Sequence, residues 1–172
     1  MVYRTRTYIA GDWENDKDAV DQLHKWNNDK RLNLSFTDAH DLKQARDSSL
    51  NCSIKRSLAE RLNASKIFVL IVGDKTNSLR AGSCQYCESK NHLFETCSRG
   101  NTIDHRSFIE YECEKAVKDG LKTIVLYKST FVDKQKCPKI LRHSGYHTAM
   151  LYESYGRYYW NYQAVEEVFN KQ

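Results

Sequence analysis

The chain has 172 residues, enough for one domain with a core of its own. Its 27 basic and 22 acidic side chains leave a net charge of +5, mixed along the chain, which permits a nucleotide or polyanion partner without imposing one. No apolar run reaches the roughly 20 residues that span a bilayer, and the start MVYRTRTYIAGDW lacks the apolar stretch of a secretory signal, so a cytoplasmic protein without a membrane partner is expected. Its six cysteines are then thiols or metal ligands rather than disulfides.

Thr5–Ala10 reads as a first strand, left through Gly11-Asp12-Trp13. Asp16–Asn27 carries Ala19, Val20, Leu23 and Trp26 at helical spacing. Leu32–Phe36 reads as a short second strand, followed by Thr37-Asp38-Ala39-His40-Asp41. Ile54, Leu58 and Leu62 place a helix from about Ser49 to Asn63, with Ser48 or Ser49 as its cap. Ser65–Gly73 and Lys122–Tyr127 are unbroken apolar runs, the pattern of strands buried on both faces of a parallel sheet. Between them lie a polar excursion, Asn77–Arg106, and a helix, Ser107–Asp119, stopped by Gly120. A fifth strand is expected over Thr148–Tyr152 and a last helix over Asn161–Asn170.

Alternating strands and helices without a linker or repeat predict a single three-layer α/β domain over residues 1–172, flavodoxin-like, with a central parallel sheet of about five strands and a cysteine-containing insertion. Ligands of such sheets bind beyond the carboxyl ends of the strands. Gly11–Glu14, Thr37–Asp47 and Asp74–Leu79 are therefore the loops to watch. The helix Ser107–Asp119 offers Glu110, Glu112 and Glu114 beside an apolar face of Ile109, Cys113, Ala116 and Val117. Glu114 points well away from that face, while Glu110 and Glu112 flank it, and periodicity does not choose between those two.

Four segments in order, YIAGDWENDKDAVDQLHKW, FTDAHD, SIKRSLAERLNASKIFVLIVGDKT and FIEYECEKAVKDGLKTIVLYK, resemble the TIR-like family that includes the TIR-like proteins of bacterial Thoeris antiphage defence, formerly a domain of unknown function. The resemblance covers most of the chain to about Tyr127. It implies a flavodoxin-like sheet, and it selects Glu112, since Ile109-Glu110-Tyr111-Glu112 fits the family's acidic residue on the helix after the third strand. In active TIR enzymes that carboxylate lies against the nicotinamide ribose of NAD. The resemblance therefore implies NAD as substrate, cleavage of the nicotinamide–ribose bond by a nucleosidase or ADP-ribosyl cyclase, Glu112 as catalytic residue, and a dinucleotide site near Gly11, Asp12, Trp13, Asp38 and His40. It also implies TIR-type self-association and an effector protein reached through a nucleotide signal. The sequence departs from simpler family members in its long Asn77–Arg106 connection and in having no Trp before Glu112 in that connection.

Within that connection, Cys84-x2-Cys87-x4-His92-x4-Cys97 has the ligand spacing of a zinc knuckle. Three thiolates and an imidazole suit a tetrahedral, structural Zn²⁺, with His105 and Cys113 as substitute ligands. The bland alternative is three free thiols in a surface loop. No Walker loop, GxGxxG or Gly-x-Ser-x-Gly elbow is present. The alternative function is a non-catalytic nucleotide-binding or scaffold module. Nucleic acid is the lesser partner there, through Tyr86 and Phe94 as stacking surfaces beside Lys90 and Arg99.

Overall fold

The computed structural model describes residues 4–41 and 50–171. Its centre is a four-stranded parallel sheet in the order β1-β2-β5-β6, built from β1 (Arg6–Ala10), β2 (Ser65–Val72), β5 (Lys122–Tyr127) and β6 (Tyr146–Ala149). Two small antiparallel hairpins flank it, β3 (Lys90–Asn91) with β4 (Thr96–Cys97) and β7 (Leu151–Ser154) with β8 (Arg157–Trp160). The sheet's sequence reads as uninterrupted apolar runs because both of its faces are covered. Phe68, Val69, Leu70 and Ile71 are all fully buried, alternating between two cores.

On one face Tyr8, Phe68, Leu70 and Val125 meet Leu62 of α2 (Asn51–Asn63) and Ile109, Cys113 and Ala116 of α3 (Phe108–Lys118). On the other, Ile9, Val69, Ile71, Ile124 and Leu126 meet Ala19, Val20, Leu23 and Trp26 of α1 (Lys17–Asn28) and Val165 and Val168 of α4 (Tyr162–Asn170). The three-layer α/β fold expected from the alternation is the one observed. Among the described residues no helix is long and apolar enough to cross a membrane.

Two expected strands differ. Residues 32–36 form no strand, because their backbone groups are taken by side chains. Asn27 bonds both the N–H and the C=O of Phe36 (2.7 and 3.0 Å), and the Tyr162 hydroxyl accepts from Asn33 N–H (2.8 Å). Leu32, Leu34 and Phe36 still pack on the sheet's core, and just after them the chain meets β1 through the Thr7 N–H bond to the Thr37 carbonyl (2.9 Å) and a parallel bridge from Thr7 to Asp38. The sheet therefore has four strands. The expected Thr148–Tyr152 strand is divided: β6 pairs with β5, Met150 still donates to the Tyr127 carbonyl (2.8 Å), and Leu151 opens the separate hairpin. The expected caps of α2, Ser48 and Ser49, lie outside the described residues, and its N-cap position is Leu50.

The excursion before α3 is tied down at its base. Ala81 accepts from Phe108 N–H (2.7 Å), Asp104 accepts from Cys84 N–H (2.9 Å), and the buried Lys55 ammonium of α2 donates to the Arg106 carbonyl (2.7 Å). Gly82 is required there: its φ is +94°, and a Cβ would lie 2.5 Å from the Phe108 ring.

Candidate active site

The three glutamates of α3 separate by hydrogen bonding. Glu110 is the N3 residue of a capping box, accepting from Ser107 N–H (2.7 Å) while the Ser107 hydroxyl accepts from Glu110 N–H (3.2 Å). Glu114 pairs with Arg106 at 2.7 Å. Glu112 is the one that turns inward. It is 7% exposed, and the hydroxyl of fully buried Tyr8 on β1 donates to its Oε1.

Glu112 lines a cleft of about 320 Å³ with Gly11, Asp12, Trp13 and Glu14 from the loop after β1, Ile54 and Leu58 from α2, Leu79 and Ala81 from the root of the excursion, and Phe108 and Ile109 from α3. Its walls are mostly apolar and its charged lining residues are all acidic. Burial pushes the Glu112 carboxyl up to about 7, against the opposing pull of the Tyr8 hydrogen bond and the Arg61 charge. Burial, and then the neighbouring Glu112, hold the Tyr8 hydroxyl well above its ordinary range, so it remains a donor. A carboxyl poised near neutrality in an apolar cleft is the arrangement expected of a reacting group.

The other expected site residues fall into two groups. Gly11, Asp12 and Trp13 share the cleft with Glu112. Gly11, however, faces β2, where a Cβ would sit 3.4 Å from that of Ile71. The Asp12 carboxylate is engaged by the N–H groups of Glu14 and Asn15 and by the Asn15 amide (2.6 Å), so it shapes the loop. Trp13 is 45% exposed at the mouth, with its ring 5.0 Å from that of His40. Asp38 and His40 are not among the cleft's lining residues. His40 packs behind it, between Trp13 and Tyr8 (5.1 Å), and Asp38 is clamped by His40 (2.9 Å) and His24 (3.1 Å). Burial works to raise the Asp38 carboxyl, but the His40 hydrogen bonds and the two imidazoles leave it below its usual range. Sequence reasoning placed Leu79 in an expected site loop but missed Tyr8, Ile54, Leu58, Ala81, Phe108 and Ile109 as site residues. The available signal for Tyr8 was that a tyrosine inside a buried strand needs a partner for its hydroxyl.

The expected metal ligands do not converge. Among the described residues no three His, Cys, Asp or Glu side chains are grouped so as to hold a metal ion. Cys84 is buried, its sulfur accepting from Asp104 N–H (3.3 Å), while Cys97 sits on β4 opposite Lys90. The substitute ligand Cys113 is fully buried in the core. In this arrangement Cys84, Cys87, His92 and Cys97 make no donor set, and no chemistry is assigned to a metal.

The family described as Thoeris protein ThsB, TIR-like domain, matches residues 8–81. That span runs from Tyr8 through Ala81 and holds every cleft-lining residue except Phe108, Ile109 and Glu112. No curated protein matches the chain. Over that span the chain is similar to a TIR-like domain, and its parallel sheet with helices on both faces is that of an α/β domain.

Proposed function

We propose that this chain is a TIR-like, NAD-processing protein of antiphage defence, cleaving the nicotinamide–ribose bond to yield an ADP-ribose-derived signal. The observation that carries the reading is Glu112, a buried carboxyl poised near pH 7 and held over an apolar cleft by Tyr8. The cleft's volume lies at the small end of the roughly 300–1,000 Å³ usual for ligand sites, and suits the nicotinamide ribosyl half of a dinucleotide. Its all-acidic charged lining suits the cationic ring and the ribose hydroxyls better than the pyrophosphate, which would lie outside.

In the reaction the C–N bond breaks with its electron pair leaving on nicotinamide, which departs neutral. The ribose carbon is left with oxocarbenium character. Ionised Glu112 stabilises that charge, and water or a hydroxyl of the same ADP-ribose closes the step by adding to the carbon and losing a proton. Trp13 at the mouth offers a stacking surface to a base.

Incubation of the purified protein with NAD⁺ should release nicotinamide, measured by chromatography. Glu112→Gln should slow release by about 10²-fold or more, the scale of losing one electrostatic stabiliser. Equal rates from parent and variant would remove Glu112 from the chemistry. Binding of NAD⁺ without release by either would favour the non-catalytic module.

A further inference from the structure

We propose that Tyr8 is the positioning residue of this site: its buried hydroxyl fixes Glu112 through Oε1, so that Oε2 is the oxygen presented to a ligand in the cleft. The identification of Glu112 as the reacting group rests on the reading above; the hydrogen bond and its consequences do not. Tyr8 is well placed for the task. It is fully buried although β1 is an edge strand of the sheet, and its ring is held between Phe68 (5.9 Å, near-parallel) and His40 (5.1 Å). A carboxylate on an α-helix has two free side-chain torsions before its own. Without a fixed partner, a buried glutamate would be free to rotate away from the cleft toward Arg61 or the Cys113 side of α3. Tyr8 fixes that choice from the sheet.

The charged and titratable groups around the pair come from several elements. Arg61 of α2 acts on both partners. Cys113 lies next to Glu112 on α3, and Asp38, held by His24 and His40, faces Tyr8. Asp12 and Glu14 share the cleft. Among the described residues Tyr8 hydrogen-bonds Glu112 in its charged form, and removal of such a bond favours the protonated acid.

The decisive variant is Tyr8→Phe, which keeps the ring between Phe68 and His40 and deletes only the oxygen. The carboxyl titration of Glu112 is followed by ¹³C NMR, the signal being assigned by its loss in Glu112→Gln. In Tyr8→Phe the midpoint should rise by about one pH unit, a tenfold change in the acid constant. The acid limb of the nicotinamide-release profile should rise with it, with kcat down about 10-fold or more and KM nearly unchanged. Placing 3-fluorotyrosine at position 8, a stronger donor, should move the midpoint the opposite way, and this arm stands even if the phenylalanine variant folds poorly. Unmoved midpoints in both variants would overturn the proposal. Moved midpoints in a protein that releases no nicotinamide would uphold the positioning role while sinking the enzymatic reading. Release that depends on Glu112 but is indifferent to Tyr8→Phe in rate and pH profile would sink the positioning role alone.

Discussion

Glu112 has a thermodynamic signature separate from any activity. Burial lifts its carboxyl from an ordinary value of 4.5 to about 7, so the folded state binds the proton more tightly than the unfolded chain. The stability this contributes is fully present below about pH 4.5 and is lost as pH rises through about 7. At about 1.4 kcal/mol per unit, the loss across that window is on the order of 3 kcal/mol. Asp16 titrates in the same sense, raised from 3.8 to about 6, chiefly by burial, so the parent's own pH profile mixes two groups. Comparison with Glu112→Gln cancels Asp16. Urea unfolding should find parent and variant within about 1 kcal/mol of each other at pH 5, and the variant more stable by about 2–3 kcal/mol at pH 8, since Gln keeps an oxygen for Tyr8 and carries no charge. Parallel profiles would mean that Glu112 is solvated. This inward turn was only half legible in the sequence. Helical period narrowed three glutamates to Glu110 and Glu112, and resemblance selected one. What would have decided it on physical grounds was the spacing Ser107-x-x-Glu110, which commits Glu110 to the cap and leaves Glu112 for the cleft.

That cap also bears on α3 as an element. The first turns of the helix carry Phe108, Ile109 and Glu112, all of which line the cleft, so fraying there would loosen one wall. Ser107→Ala removes the acceptor for Glu110 N–H and should lower stability by about 1 kcal/mol, within the roughly 0.5–2 kcal/mol of lost caps. Ser107→Asn, which keeps a side-chain oxygen, should recover most of it, and a denaturant midpoint for Ser107→Ala equal to the parent's would remove the box from the account. The elements that the sequence announced are those whose pattern is set by burial, namely β1, β2, β5 and the amphipathic α1, α2, α3 and α4. Those it did not announce depend on particular side chains. Residues 32–36 have a strand's composition, yet Asn27 and Tyr162 occupy their backbone. The β7–β8 hairpin turns at Tyr155-Gly156, both at positive φ. The usual signal for such a turn is Asn-Gly, and a tyrosine in the first position hid it.

For the molecule as a whole, the excursion between β2 and α3 divides into a root that builds the cleft and a tip that does not. Leu79 and Ala81 line the cavity, and the anchors to Phe108, Asp104 and Lys55 hold this root on α2 and α3. Beyond Ser89 the chain leaves the body. Leu93 is 88% exposed and Phe94 73%, so their apolar surface contributes little to folding. Ser89 and Ser98 face each other at the neck, where the Ser89 carbonyl accepts both the N–H and the hydroxyl of Ser98 (2.9 Å each). Residues 90–97 can therefore be replaced by a two-residue Asn-Gly turn without altering the root. The shortened protein should melt within a few degrees of the parent, because the contacts removed are local: the β3–β4 pairing, the Lys90 N–H bond to the Cys87 carbonyl (3.0 Å), and the Lys90–Glu95 ion pair, whose carboxylate is 64% exposed although the lysine side chain is only 6% exposed. Its affinity for NAD⁺ should be unchanged, since none of the deleted residues lines the cleft. The same deletion takes away His92 and Cys97, two of the four residues with knuckle spacing. A large drop in melting temperature, accompanied by loss of bound zinc from the purified protein, would show that a metal organises the excursion after all. Weakened NAD⁺ binding with an unchanged melting temperature would instead place the tip over the mouth of the cleft, beside Trp13.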